Sequence, residues 1–254
     1  MKLGISNPAS KIEASAKAGF DYLELPLNQL DVSPEALAAL KARLSNAGIV
    51  LESFNCFFPG TLSLYGETDP ILAYAERQLN GAAALGAKLC VVGSGAARKI
   101  PEGMEKAVAE ERFLCLLGKI GDLARAREIR LAIEPLNYGE TNFINTVAEG
   151  RELCRKLAHP SVGCLIDFYH FWKNGEPLAD LDNFRPGELF HVHLARPNND
   201  RGYPKAEDRD ALASWASKLK AIGYDDRLTL ECRFSDGFEE HAAEALSELQ
   251  VFRG

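Results

Sequence analysis

Eight short, nearly unbroken apolar runs punctuate the chain, separated by longer segments in which apolar residues recur every three or four positions. The runs are KLGIS (2–6), DYLELPL (21–27), VLESFNCFF (50–58), LCVVGSG (89–95), RLAIEP (130–135), VGCLID (162–167), LFHVHLA (189–195) and RLTLECRF (227–234). Continuous apolar character is what parallel strands show when both faces of their sheet are covered. Parallel neighbours need a crossover connection, and the intervening segments read as the helices that supply it. SPEALAALKARLSNAG marks its own ends, with Ser33 at the N-cap, Pro34 in the first turn and Gly48 past the last. Segments beginning TDPILAYAER, GMEKAVAEER, NTVAEGREL, DRDALASWAS and GFEEHAAEAL keep the same period, and EPLADLDNF, between the sixth and seventh runs, is short.

Eight such units with short connections close economically into one α/β domain over 1–254, a single (β/α)₈ TIM barrel. An open doubly wound sheet alternates in the same way but carries a glycine fingerprint after its first strand, and GISNPAS has none. Composition agrees: 46% apolar and 26% charged residues suffice for a large core. A net charge of −7 disfavours non-specific binding to nucleic acid or anionic lipid. No apolar run approaches the roughly 18 residues of a membrane span. MKLGISNPAS lacks the apolar stretch of a signal peptide, so a cytoplasmic location is expected. The six cysteines are scattered without a CxxC pair and read as reduced, packed thiols, with Cys56, Cys90, Cys164 and Cys232 inside strands.

In a barrel of this kind chemistry sits where the strands end at their C-termini. Polar residues at those ends are Glu24, Asn55, Ser94, Glu134, Asp167, His193 and Glu231. The last four come from consecutive strands, five to eight, and so converge on one arc of the rim. Three carboxylates brought together repel one another unless one protonates or a cation joins them. Oxygen donors with one imidazole and no thiolate favour Mn²⁺, Mg²⁺ or Co²⁺, with Zn²⁺ also compatible.

Other residues read less specifically. Glu24 either faces the pocket or caps the loop after strand two. GSGAAR, with Arg98, is a glycine-rich turn that either exposes amides to an anion or makes a tight strand-to-helix connection. Trp172, Phe57 and Phe58 suit an apolar wall of the pocket or ordinary core packing. By strand alternation His191 shares a face with His193, one layer deeper in the barrel, as a supporting or core residue.

The motifs EPLNYGETNFINT, LIDFYH, HVHLA and LTLECRF resemble those of the xylose isomerase-like barrels, the sugar isomerase/epimerase superfamily, over the full chain. The branch they suggest is the ketose 3-epimerases of the tagatose/psicose type. The resemblance implies that Glu134, Asp167, His193 and Glu231, spaced 33, 26 and 38 residues apart, hold one divalent ion. It implies that Glu140 and His170 grip the sugar, together with an arginine downstream of His193. Of Arg196 and Arg201, the latter is assigned.

The activity so implied is epimerisation next to the carbonyl of a ketose or keto-sugar. Glu134 and Glu231 would exchange protons on opposite faces of an enediolate. Two other enzyme readings use the same chemistry: an aldose–ketose isomerase of the hydroxypyruvate isomerase kind, and a metal-dependent lyase acting on a 3-keto sugar or glycoside. A type IV apurinic endonuclease shares the barrel but needs many histidines and a basic face, whereas this chain has five histidines and an acidic balance. The expected partner is a small-molecule sugar, with neither nucleic acid nor membrane. A homo-oligomer is compatible with the sequence.

Overall fold

The strands are β1 (Lys2–Ser6), β2 (Tyr22–Pro26), β3 (Val50–Asn55), β4 (Leu89–Val92), β5 (Arg130–Ile133), β6 (Val162–Asp167), β7 (Leu189–Leu194) and β8 (Arg227–Leu230). Each pairs in parallel with the next, and β1 closes on β8 through Lys2↔Arg227 to Ile5↔Leu230. The result is a closed eight-stranded barrel in a computed structural model that describes residues 1–253. Helices α1 (Ile12–Ala18), α2 (Pro34–Ala47), α3 (Thr68–Ala84), α4 (Lys106–Arg125), α5 (Val147–Leu157), α6 (Phe168–Lys173), α7 (Arg209–Ala221) and α8 (Phe238–Glu248) follow their strands in turn.

Local chemistry sets the helix ends. Ser33 Oγ accepts from the Ala36 amide, and Gly48 ends α2 in the left-handed region at φ 71°. At α5 the Thr146 hydroxyl accepts from the Glu149 amide (3.1 Å), and the Glu149 carboxylate accepts back from Thr146 (3.3 Å). Among the described residues no helix is long and apolar enough to cross a membrane.

Two apolar layers hold the barrel. The larger lies between strands and helices. The smaller is Leu89, Val91, Ala132, Leu165 and Phe190. Four of these five share strand faces, by twos, with Gly93, Glu134 and Asp167, so they fill the barrel interior below the strand ends. Room for the largest ring comes from Gly163, where a Cβ would lie 2.5 Å from Phe190. On the opposite wall Gly4 makes the same concession to Tyr22, at 2.2 Å.

The structure corrects several boundaries. β3 stops at Asn55 and β4 at Val92, which leaves Phe57, Phe58 and the glycine-rich GSG outside the strands. Cys56 and Cys232 therefore lie just past strands, Cys56 and Cys115 are exposed, and all six thiols are free. EPLADLDNF forms a 3₁₀ turn over Leu178–Asn183, while the helix after β6 is FYHFWK, directly on the strand.

A carboxylate–imidazole cluster at the barrel mouth

Glu134 follows β5, Asp167 ends β6, His193 is the fifth residue of β7, and Glu231 follows β8. One ligand atom from each lies within 4.8 Å of the others. His193 Nδ1 is 3.4 Å from Glu134 Oε1 and 3.1 Å from Glu231 Oε2. Glu134 Oε1 and His193 Nδ1 are buried without a hydrogen bond. Buried polar atoms left in this state are rare in proteins, and donors of this kind converging on one point fit a divalent cation.

Charge points the same way. Glu24, Glu134, Asp167 and Glu231 bring four carboxylates together around Arg201 and His193, and, against the effect of burial, Glu24 and Glu231 raise the imidazole of His193 well above its ordinary pKa. Arg201 Nη2 is 2.8 Å from Asp167 Oδ2 and also contacts Glu231 Oε2. Burial and the neighbouring Glu231 raise the pKa of Glu134, with His193 acting the other way. Burial would raise Glu231 too, but Arg201 and His193 outweigh it and hold that carboxyl well below the usual range. The two glutamates thus sit in environments that push their acidities apart.

Beside the cluster, a hydrogen-bond chain arranges His170 and Glu140. The Asn137 side-chain nitrogen is 2.8 Å from Glu140 Oε1 and 2.9 Å from His170 Nδ1, and the Asn137 backbone N–H donates to that same Nδ1 at 3.3 Å. With Nδ1 accepting, the ring proton belongs on Nε2, a tautomer assigned from this bonding pattern. Nε2 is buried, has no hydrogen bond, and lies 3.4 Å from Asp167 Oδ2 and 3.9 Å from Glu134 Oε1. It is a donor aimed into the site.

Of the two arginines after β7, only one reaches the cluster. Arg196 is spent on Glu207 and on Asp208, the latter at 3.1 Å. Arg201 adopts φ 55°, uncommon for a side chain of its size, and its guanidinium lies 5.0 Å from the Tyr169 ring centroid. Its carbonyl accepts from the Arg233 amide (2.8 Å), which ties the loop after β7 to that after β8.

The xylose isomerase-like TIM barrel profile matches residues 12–253. This chain belongs to that family. Among relatives of this xylose isomerase-like barrel is a 3-dehydroshikimate dehydratase of Pseudomonas putida, 28% identical over 94% of the chain. The chain spans only 39% of that protein's length. An L-ribulose 3-epimerase of Methylomonas sp. is 27% identical, with 87% of this chain and 76% of that protein covered. A solved D-psicose 3-epimerase from Clostridium cellulolyticum H10, in complex with D-tagatose, superposes with a TM-score of 0.85 at 21% identity, covering 99% of both chains.

Several residues around the barrel mouth had no assigned role in the sequence. Asn55 donates to Glu231 Oε1 (2.6 Å) and to Ser6 Oγ (2.8 Å). Gly93 packs under Glu134: a Cβ there would lie 2.1 Å from Oε2. Arg98 is not open to an anion beside the GSGAAR turn. Arg98 is fully buried and gives its guanidinium to the carbonyls of Val92, Phe143 and Ile144 at 3.1–3.2 Å. Phe57 and Phe58 are core residues, whereas Trp172 is 37% exposed. His191 is buried below His193, their ring centroids 4.9 Å apart, as strand alternation predicts.

Proposed function

We propose that this chain is a divalent-metal-dependent epimerase that inverts the carbon next to the carbonyl of a ketose or related keto-sugar. The observation that carries this reading is the pair Glu134 and Glu231, which flank His193 Nδ1 from β5 and β8 at 3.4 and 3.1 Å. Glu134, Asp167, His193 and Glu231 would hold the ion, and their donor set suits Mn²⁺, with Mg²⁺, Co²⁺ or Zn²⁺ as alternatives. When bound, the ion supplies Lewis acidity that makes the carbon next to the carbonyl easier to deprotonate.

The chain's own groups do the rest. One glutamate takes the proton from one face of the carbon and the other returns a proton to the opposite face, which is what inversion requires. His170 offers its Nε2–H to a substrate oxygen. Glu140, held through Asn137, accepts a hydroxyl, and Arg201 supplies a fixed positive charge beside it. The epimerase names of relatives such as the Methylomonas protein support this choice.

A second reading has one specific support, the dehydratase name of the Pseudomonas relative that aligns over 94% of the chain. The first proton abstraction is the same, and the enediolate then loses a β-hydroxyl, which leaves as water with the proton that the glutamate took up. Products separate the two. Ketoses, keto-acids and 3-keto-glycosides incubated with Mn²⁺ in D₂O and followed by NMR should give an epimer carrying one deuteron at the inverted carbon. An unsaturated product establishes the dehydratase instead. Elemental analysis should find one divalent ion per chain, with activity lost to EDTA. Glu134→Gln and Glu231→Gln should each abolish epimerisation while exchanging the proton of opposite epimers. Exchange of the same epimer by both overturns the two-base scheme.

A further inference from the structure

Glu24 is left without a role in that scheme, although it is among the most deeply buried charges in the molecule. It lies on β2, whose register against β3 slips between Leu23 and Glu24. The extra residue is Glu52 on β3, and the slip brings Ser53 opposite Glu24, which keeps to the interior face with Tyr22. Glu24 Oε2 accepts from Ser53 Oγ (2.7 Å) and faces His191 Nε2 (2.9 Å). Glu24 Oε1 lies 2.9 Å from His193 Nε2, oblique to the ring N–H, and neither of these two atoms bonds elsewhere. Among the described residues no lysine or arginine pairs with the carboxylate.

A charge is not buried this deeply for packing alone, because an apolar residue of the same size would fill the space without the desolvation cost. What the charge does follows from the His193 ring. A carboxylate at Nε2 keeps the proton on that nitrogen and leaves the lone pair on Nδ1, the atom that faces Glu134 and Glu231. We propose that Glu24 is a positioning residue for the metal centre, fixing the tautomer and ring orientation of His193 from below. Histidine ligands commonly rely on such a partner. His191 and Thr229 brace the carboxylate on its other side: Thr229 Oγ1 is 3.1 Å from His191 Nε2 and 2.7 Å from the Tyr22 hydroxyl. This inference rests on the metal-dependent reading above.

The test compares Glu24→Gln and Glu24→Ala with the wild-type protein in two readouts besides activity. Free Mn²⁺ counted by EPR during titration gives the dissociation constant. The imidazole ¹⁵N–¹H spectrum of histidine-labelled protein reports on the His193 Nε2–H. Glu24→Ala should weaken Mn²⁺ binding by about 10- to 100-fold, and Glu24→Gln, which keeps the volume and one acceptor oxygen, by less. Both should shift the His193 Nε2–H resonance. Folded variants, checked by circular dichroism, with wild-type affinity and an unshifted resonance overturn the proposal. Should the alanine variant fail to fold, the glutamine variant carries the test. If the wild-type protein takes up no divalent ion, the metal-dependent reading fails, and an unshifted His193 resonance in Glu24→Gln then overturns the role of Glu24 as well.

Discussion

Replacing Gly93 by alanine perturbs the cluster with one methyl group and removes no donor. The φ of Gly93 is not positive, so alanine meets no backbone penalty there. Its Cβ would, however, stand 2.1 Å from Glu134 Oε2 and 3.2 Å from Cδ. An ordinary carbon–oxygen approach is about 3.3 Å, so the carboxylate has to retreat by about 1 Å. If the core absorbs the strain, overpacking costs about 1–3 kcal/mol, a Tm loss of roughly 2–10 °C for a chain of this size. If Glu134 swings aside instead, stability changes little and the cluster opens. Either way, misplacement by about 1 Å should lower kcat by about 10²-fold and weaken metal retention. Gly118→Ala on α4 is the control, because its Cβ meets only Leu157 Cδ1, at a comfortable 3.6 Å. It should be neutral or slightly stabilising. Calorimetry and an Mn²⁺ titration read both variants. A Gly93→Ala protein with wild-type affinity and turnover refutes the claim that Glu134 is held in place by that close contact.

Two further outcomes concern the sugar-facing residues and a half-buried carboxyl away from the cluster. His170→Ala and Glu140→Ala should keep the metal yet lose about 10²-fold in kcat/KM, about 3 kcal/mol of transition-state binding; metal lost from the His170 variant means that His170 is a ligand instead. Glu176 is raised to about 7 by burial, with its hydrogen bond from the Val147 amide (2.8 Å) opposing the shift. The folded state therefore holds this proton to higher pH than the unfolded chain, and stability falls as pH rises from about 4.5 to 7. Discounted for partial exposure, the loss is about 1–2 kcal/mol, and Glu176→Gln, which still accepts the amide, should recover it at pH 8 in a urea titration.

The apolar runs fixed the barrel because a strand buried on both faces leaves almost no other pattern. For the same reason a carboxylate or imidazole at the end of such a run has one place to go, and the pattern alone groups Glu134, Asp167, His193 and Glu231. Helix α6 stayed hidden, since FYHFWK is apolar nearly all round and too short to show a period. Glu24 reads two ways because the groups that receive its charge, Ser53, His191 and His193, stand on other strands far along the chain. Gly93 was illegible for a plainer reason: its function is to have no side chain, and the atom it makes room for belongs to a residue 41 positions later (134 − 93).

Arg98 has a consequence beyond holding its own turn. Its three hydrogen bonds, with those of Thr141 to Gly95 (3.1 Å) and of Asn142 to both the amide and the carbonyl of Ile100 (2.8 and 3.1 Å), sew the segment after β4 to the one that carries Asn137 and Glu140. A lysine, with a single ammonium, could not satisfy three carbonyls in fixed directions. The conformational entropy of this stretch is therefore surrendered once, when the polypeptide folds. On the proposed reading, a sugar settling against Glu140 would meet a surface already in its final shape and would bear no ordering cost of the loop beneath it.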